Sequence, residues 1–311
     1  MKIVFMGTPD FAVETLKAIY EAGHEVILCV TQPDKPKGRG GKMQFPPVKE
    51  WAVDHDIPVF QPVKIRAEES VEFLSKYQAD VFVVAAFGQI LPKVILDMPR
   101  LGCVNVHGSL LPKYRGAAPI QWAVIDGEKV SGITTMMMGP GLDDGDMLLK
   151  SQVELAADET GGSLFDKLAI EGGKLAVETI EKLDRGQITP EPQDESQATH
   201  VGMIKKEMGN INWSKPAVEI ERLIRGLNPW PSAFTYLDGK TLKIWSAQVI
   251  EGKGEPGSII SVDKNGFVVA TGHGCLLIRE LQLEGKKRMA AGDFLRGYQL
   301  AEGTRLLDGK Y

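Results

Sequence analysis

Residues 102–112 read GCVNVHGSLLP, and this stretch predicts both a buried strand and the centre of a functional site. The apolar residues up to Val106 predict a short strand that breaks at Gly108. Side chains two positions apart on a strand share a face, so Asn105 and His107 are expected to point the same way. Open α/β sheets bind their ligands at the carboxyl ends of the strands. We therefore expect an amide donor and a titratable imidazole side by side at that edge.

A carboxylate is expected to join these two residues from a second stretch of the chain. Residues 141–146 read GLDDGD, a glycine-rich loop that can fold back and bring Asp143 toward Asn105 and His107. An amide donor, an acid–base group and a carboxylate are what a reaction through a tetrahedral intermediate requires. The neighbouring acidic residues and the remaining histidines lack metal-ligand spacing, so no metal site is expected.

The first half of the chain alternates strand-like and helix-like patterns. Buried strands are predicted over Lys2–Met6, Glu25–Thr31, Val81–Ala85 and Cys103–His107, with helical patterns between them. This order predicts an α/β fold, with a Rossmann-like, mostly parallel sheet and helices on both of its faces.

The turn after the first predicted strand reads GTPD, residues 7–10. It lacks the G-x-G-x-x-G pattern of dinucleotide-binding loops, so no nicotinamide cofactor is expected. Thr8 is expected to cap the helix that follows, with Pro9 at the first helical position.

Beyond residue 188 the pattern changes. Residues 189–197 are polar and contain prolines, which is typical of a linker. A helix is predicted over Pro216–Leu227, and several short strands separated by Gly and Asp turns follow it, as in a small antiparallel barrel. The expected organisation is a catalytic domain over residues 1–188, a linker over 189–206 and a barrel domain over 207–311.

Charge is distributed unevenly along the chain. Residues 1–206 hold 22 Lys and Arg against 29 Asp and Glu, whereas residues 207–311 hold 14 against 12. The loop Asp34–Lys42 carries four positive charges against one negative and is long for a connection between a strand and a helix. This loop and the basic second half of the chain are suited to contact with a polyanion.

The composition is that of an ordinary globular protein, with 25% charged and 43% hydrophobic residues. No apolar run reaches the roughly 18 residues of a membrane span. The 3 cysteines are widely separated and odd in number, which argues against a disulfide framework and against a cysteine-based zinc site. No signal-peptide pattern is visible at the N-terminus, so a reducing, cytoplasmic location is expected.

Longer stretches of the sequence resemble a known family. Residues 105–120 read NVHGSLLPKYRGAAPI and residues 141–147 read GLDDGDM, and together they resemble the formyltransferases that use 10-formyltetrahydrofolate. Similar stretches lie at residues 6–11 (MGTPDF), 85–92 (AAFGQILP) and 227–231 (LNPWP), so the resemblance covers nearly the whole chain. Within this family the chain is most similar to the members that formylate methionyl initiator tRNA.

The resemblance implies that the barrel is of the OB-like type, that the protein is a monomer and that it needs neither a metal nor a nicotinamide cofactor. It also implies three sets of site residues. The implied catalytic residues are Asn105, His107 and Asp143. The residues implied to hold the folate co-substrate are Ser109, Leu110, Leu111 and Pro112, with a second wall of Phe87, Gln89, Ile90 and Leu91. The residues implied to contact tRNA are Arg39, Lys37, Lys42 and Lys206.

Three other functions stay open on the sequence. Glycinamide ribonucleotide formyltransferases are similar in the first half only, and nucleotide-sugar N-formyltransferases can carry an appended domain. A non-catalytic RNA-binding protein built on an inactive enzyme fold is the third possibility. The loop around Arg39 and the barrel pattern argue against the first two, and the intact Asn105, His107 and Asp143 argue against the third.

Overall fold

The computed structural model describes residues 1–37 and 42–309, which form two compact units. Among these residues, no helix combines the length and the apolar character needed to cross a membrane. The first unit consists of Met1–Pro119, Val130–Glu154 and Phe165–Val201, and the second of Ile120–Lys129, Leu155–Leu164 and the chain from Gly202 onward.

The strands and helices follow one another along the chain with short connections. The strands are β1 (Lys2–Gly7), β2 (Glu25–Val30), β3 (Lys35–Lys37), β4 (Lys42–Gln44), β5 (Val59–Phe60), β6 (Val81–Ala85), β7 (Cys103–His107), β8 (Arg115–Gly116), β9 (Val130–Met137), β10 (Met147–Glu154), β11 (His200–Val201), β12 (Ala233–Leu237), β13 (Lys240–Ile250), β14 (Ile259–Asp263), β15 (Gly266–Ala270), β16 (Cys275–Leu283) and β17 (Met289–Ala290). The helices are α1 (Asp10–Glu21), α2 (Pro47–Asp54), α3 (Glu68–Ser75), α4 (Lys93–Leu96), α5 (Pro119–Asp126), α6 (Gly161–Asp184), α7 (Ala217–Gly226) and α8 (Ala291–Gly297), and short 3-10 helices span Glu195–Gln197 and Lys206–Gly209.

In the described part of the first unit, seven strands form one sheet in the order β10-β9-β7-β6-β1-β2-β5. Neighbouring strands from β5 to β7 run parallel, and the pairs β7–β9 and β9–β10 are antiparallel. The predicted mostly parallel sheet is therefore confirmed, with an antiparallel extension at one side.

Strand β6, in the middle of the sheet, is apolar and buried along its whole length, as expected for a strand with both faces covered. On one face, Val4 and Phe82 belong to a buried cluster that also contains Leu74 of α3 and Ile95 of α4. On the other face, helix α1 packs on the part of α6 that belongs to this unit, and the rings of Phe11 and Phe165 lie 5.5 Å apart.

Loops that follow neighbouring strands are tied together at the carboxyl edge of the sheet. The hydroxyl of Thr8, after β1, donates to the carbonyl oxygen of Phe87, after β6, at 3.2 Å. The Gln32 backbone N–H, after β2, donates to the same hydroxyl at 3.3 Å. The predicted capping role of Thr8 is thus wrong, since α1 begins at Asp10 after Pro9 with no side-chain cap.

The polar stretch around residue 195 lies against the first unit. Glu191 and Met147 exchange two backbone hydrogen bonds, of 2.8 and 2.9 Å. Further along, β11 pairs in parallel with β8, with His200 opposite Arg115. The first unit accordingly extends to Val201, and the predicted boundaries at residues 189–206 stay a prediction.

The second unit contains an antiparallel sheet in the order β12-β13-β16-β15-β14, with β17 paired to β16. Its buried core joins Ile220 and Ile224 of α7 to Phe267 and Ile278 of the sheet. Among the described residues, the strand ladders do not connect β12 to β14. Residues 304–307 instead bond to both edges, through Tyr236 and Ile259, which is consistent with an OB-like barrel.

Candidate active site

Strand β7 holds two predicted catalytic side chains at the edge of the first unit. Asn105 and His107 are two residues apart on this strand and are 9% and 6% exposed. The strand lies between β6 and β9, so its backbone is held on both sides. The side-chain amide of Asn105 makes no hydrogen bond with any residue that the structure describes, which leaves its N–H groups available to a substrate.

A main-chain carbonyl orients the imidazole of His107. The Nε2 atom lies 2.9 Å from the carbonyl oxygen of Tyr114. A carbonyl oxygen can only accept, so Nε2 must carry a proton in this contact. In the neutral imidazole the other nitrogen, Nδ1, then bears a lone pair. Tyr114 presents its carbonyl from a left-handed backbone conformation, with φ at 59°.

The carboxylate of Asp143 faces the unprotonated side of the same ring. Its Oδ2 atom lies 3.7 Å from Nδ1 of His107, too far for a direct hydrogen bond. The same oxygen accepts a hydrogen bond of 2.9 Å from the backbone N–H of Gly116. Two acceptor atoms therefore lie close together, and a proton donor such as an amine could donate to both of them from the side.

Two glycines permit the close approach of the loops around Asp143. Gly116 has φ at 110°, and a Cβ atom there would lie 2.3 Å from the carbonyl oxygen of Val201. A Cβ atom on Gly145 would lie 1.7 Å from the carbonyl oxygen of Met137. Both approaches involve main chain, so a larger residue could enter only if the loops moved apart.

An ion pair between the buried Arg115 and the exposed Glu195, which the sequence analysis missed, adjoins these loops. Arg115 is 3% exposed, and its guanidinium bonds both carboxylate oxygens of Glu195, at 2.7 and 3.1 Å. The hydrogen bond from Arg115 lowers the pKa of Glu195, and the carboxylate in turn raises the pKa of the guanidinium. No pattern in the sequence connects the two residues, because Glu195 lies in a polar stretch that resembles a linker.

Gln193 links this ion pair to the Asp143 loop. Its amide nitrogen donates to the carbonyl oxygens of Asp143 and Gly145, each at 2.8 Å. Its amide oxygen accepts from Nε of Arg115 at 3.0 Å. The side chain thereby uses both of its N–H groups and its oxygen, and it holds the loop that carries Asp143.

The four residues predicted to hold the folate after β7 form a closely bonded loop. The Ser109 hydroxyl donates to the carbonyl of Lys113 at 2.6 Å, and Leu111 is buried with Met136. Leu110 and Pro112 are half-buried. The side chains of Ser109 and Leu111 are therefore engaged within the fold, and their proposed part in ligand binding stays a prediction.

The second predicted wall of the folate site follows β6. Phe87 and Leu91 are buried in the core of the first unit. The Gln89 side chain donates to the carbonyl of Pro62 at 3.1 Å and accepts from a backbone N–H at 2.7 Å. Ile90 is 73% exposed, so it presents the most accessible side chain of this wall to a ligand.

The predicted tRNA contacts lie in two places. Arg39 falls outside the residues that the structure describes, as do the side chains of Lys37 and Lys42, whose backbones pair in the hairpin β3–β4. Lys206 is exposed at the first position of a 3-10 helix in the second unit.

A polar cluster anchors the base of this hairpin. Lys49 bonds both carboxylate oxygens of Asp34, at 2.7 and 2.9 Å, and the Gln61 side-chain oxygen at 2.8 Å. The hydrogen bond from Lys49 is the main reason that the pKa of Asp34 is lowered. The Lys49 ammonium also lies 3.8 Å from the ring centre of Phe45.

Residues 1–180 match the formyl transferase family, and residues 203–299 match the C-terminal domain of formyl transferases. The chain belongs to the formyl transferase family. Among the described residues, no cluster of histidine, cysteine and acidic side chains is arranged to hold a metal ion.

Curated relatives within this family bear the name methionyl-tRNA formyltransferase. The protein of Agathobacter rectalis is 63% identical over 98% of this chain and 99% of its own length. The protein of Lachnospira eligens is 59% identical over 98% of this chain and 99% of its own length. Among solved structures, an N-formyltransferase from Helicobacter canadensis in complex with folinic acid and dTDP-3-aminofucose matches with a TM-score of 0.67. It is 17% identical, over 89% of this chain and 98% of that chain, which shows a shared fold.

Proposed function

We propose that the protein is an enzyme that transfers the formyl group of 10-formyltetrahydrofolate to the α-amine of methionine carried by initiator tRNA. The products are formylmethionyl-tRNA and tetrahydrofolate. The observation that carries the proposal is the pair of acceptors at the sheet edge, Nδ1 of His107 and the carboxylate of Asp143, 3.7 Å apart, with Asn105 two residues before His107 on the same strand. The names of the relatives support the choice of acceptor.

The first step is attack of the amine nitrogen on the formyl carbon. An amine that enters between His107 and Asp143 finds a lone pair on one side and a negative charge on the other. As the new C–N bond forms, the amine nitrogen becomes acidic and gives its proton to Nδ1 of His107. The Tyr114 carbonyl and the Asp143 carboxylate then stabilise the resulting imidazolium from opposite sides.

The second step is collapse of the tetrahedral intermediate. The formyl oxygen bears negative charge in this intermediate, and the Asn105 amide donates to it. One positioned donor of this kind stabilises a transition state by about 2.7–4 kcal/mol. The bond between the formyl carbon and N10 of the folate then breaks, and the imidazolium of His107 returns its proton to N10.

Recognition of the tRNA is assigned to the basic loop around Arg39 and to the second unit with Lys206. An arginine grips a phosphate or a base edge through two parallel hydrogen bonds, which a lysine cannot do. The cluster of Asp34, Lys49 and Gln61 supports this assignment, because it holds the hairpin base at the carboxyl edge of the sheet. Contacts to phosphates make the binding dependent on salt.

The test of this function is a comparison of acceptors with 10-formyltetrahydrofolate as donor. We expect rapid turnover with methionyl initiator tRNA and little or none with free methionine, glycinamide ribonucleotide or an amino-sugar nucleotide. Preference for either nucleotide would move the protein to that branch of the family. Binding of tRNA without turnover of any acceptor would indicate a non-catalytic RNA-binding protein.

A further inference from the structure

Residues 191–201, here called the clamp, bond to both loops that carry the catalytic groups. We infer that two residues of the clamp, Gln193 and Thr199, are positioning residues for Asp143 and His107. The inference rests on the proposed function for its reaction. It concerns residues that the sequence assigns to a linker.

Gln193 holds the main chain of the Asp143 loop, and Gly116 holds its carboxylate. Its amide bonds the carbonyls of residues 143 and 145, while Gly116 bonds the carboxylate itself. Asp143 has φ at 52°, a conformation that costs an ordinary residue free energy and persists only when the surroundings impose it. The two contacts together fix where the carboxylate stands relative to His107.

Thr199 holds the segment that orients the imidazole. Its hydroxyl accepts from the backbone N–H of Tyr114 at 2.8 Å, and its carbonyl accepts from the N–H of Arg115, also at 2.8 Å. The N–H of Thr199 donates to the carbonyl of Pro112 at 3.2 Å. Tyr114, whose carbonyl accepts from His107, is thereby fixed on both sides despite its left-handed backbone.

The clamp is itself attached at three places. Glu191 pairs with Met147 at its start, and His200 pairs with Arg115 at its end. Between them, Glu195 forms the ion pair with the buried Arg115 guanidinium. A segment attached in this way can hold two distant loops in fixed positions relative to each other. Such positioning matters because misplacement of a catalytic group by about 1 Å can slow a reaction roughly 10²-fold.

The first experiment compares two isosteric substitutions within the clamp. Gln193→Glu sets a carboxylate oxygen against the carbonyls of Asp143 and Gly145 and keeps the contact with Arg115. Gln197→Glu adds the same charge four residues later, where the side chain donates to the Asp194 carboxylate and not to the Asp143 loop. We expect kcat to fall at least roughly tenfold in the first variant, with both KM values within about twofold of wild type. The Gln197→Glu variant should retain wild-type kcat.

A double-mutant cycle separates positioning from a general loss of structure. In a background of Asp143→Asn, the further change Gln193→Glu should lower kcat by less than about twofold, because the group that it positions has already been disabled. Equal losses in both backgrounds would overturn the assignment of Gln193. So would a wild-type kcat in the single variant.

A second pair of variants tests the other half of the clamp and serves if Gln193→Glu does not fold. Thr199→Val removes the hydroxyl that accepts from Tyr114 and should lower kcat, whereas Thr199→Ser keeps the hydroxyl and should restore most of it. Equal activity of the two variants would overturn this assignment. Failure of the wild-type protein to formylate methionyl-tRNA would count against the proposed function, and wild-type turnover with unaffected clamp variants would count against the clamp alone.

Discussion

The imidazole of His107 is oriented by the carbonyl of Tyr114, which accepts from Nε2 at 2.9 Å, and not by a direct hydrogen bond to a carboxylate. Because a carbonyl oxygen can only accept, this contact places the proton of the neutral imidazole on Nε2. It leaves Nδ1 facing Asp143 at 3.7 Å, where the amine of the substrate is expected to enter. In the proposed reaction the base is therefore Nδ1 of His107.

Replacement of Asn105 should affect chemistry and leave the fold intact. Its amide has no hydrogen-bond partner among the described residues, so Asn105→Ala removes no hydrogen bond within that part of the chain. We expect kcat to fall by roughly 10²–10³-fold, with a melting temperature close to that of wild type. Steady-state kinetics and thermal unfolding measure the two quantities, and an unchanged kcat would remove Asn105 from the oxyanion role.

The charge of Asp143 should matter, and that of its neighbour should not. Asp143→Asn keeps an oxygen for the Gly116 N–H but removes the negative charge that is proposed to stabilise the His107 imidazolium. We expect kcat to fall roughly 10²-fold or more. The control is Asp144→Asn, an exposed residue one position later in the same loop. Similar losses in the two variants would mean that loop geometry, rather than the carboxylate, is being measured.

Gly116 should not tolerate a side chain. A Cβ atom there would meet the Val201 carbonyl at 2.3 Å, in a backbone conformation that favours glycine. Gly116→Ala is expected to lower the free energy of unfolding by about 1–3 kcal/mol and to displace the N–H that bonds Asp143. Gly202→Ala is the matched control, because a Cβ atom at that position would have no neighbour within 4 Å. Urea unfolding measures the stability of both variants, and steady-state kinetics measures their kcat.

The ion pair of Arg115 and Glu195 should give stability that depends on pH. The folded protein holds the pKa of Glu195 below its ordinary value, so the pair stabilises the fold above the unfolded-state pKa, about 4.3, and the contribution disappears as the pH falls through the folded-state pKa. Glu195→Gln should therefore be less stable than wild type at neutral pH, and the difference should vanish in acid. Glu69→Gln, at an exposed site on α3, is the control. A difference that persists at low pH would assign the effect to packing.

Loss of Arg39 should impair the reaction with tRNA and spare the folate. We expect Arg39→Ala to raise KM for methionyl-tRNA strongly and Arg39→Lys to recover part of the loss, because lysine keeps the charge but not the two-point contact. The control is Arg185→Ala, which removes an exposed arginine that pairs with Glu181 at the end of α6. Equal effects of Arg39→Ala on folate binding and on tRNA would place the loop in the folate site.

The strands of the first unit were predictable because their signal is local. Strand β7 is an apolar run that ends in a turn, and the two-residue period alone places Asn105 and His107 on one face. Thr8 shows the limit of such reasoning. Its sequence context is that of a helix cap, yet its hydroxyl bonds Phe87, 79 residues away, because the two loops meet at one edge of the sheet.

The sequence alone was enough to predict the class of fold, to select Asn105, His107 and Asp143 as candidates, and to place the first two on one strand. These follow from periodicity and residue chemistry, which short segments encode. Only the folded chain shows the contacts of Tyr114 with His107, of Gln193 with the Asp143 loop and of Thr199 with Tyr114. Every residue has a main-chain carbonyl, so the sequence does not show which carbonyl will accept a hydrogen bond. Contacts between residues 50 or 85 positions apart arise only when packing brings distant loops together.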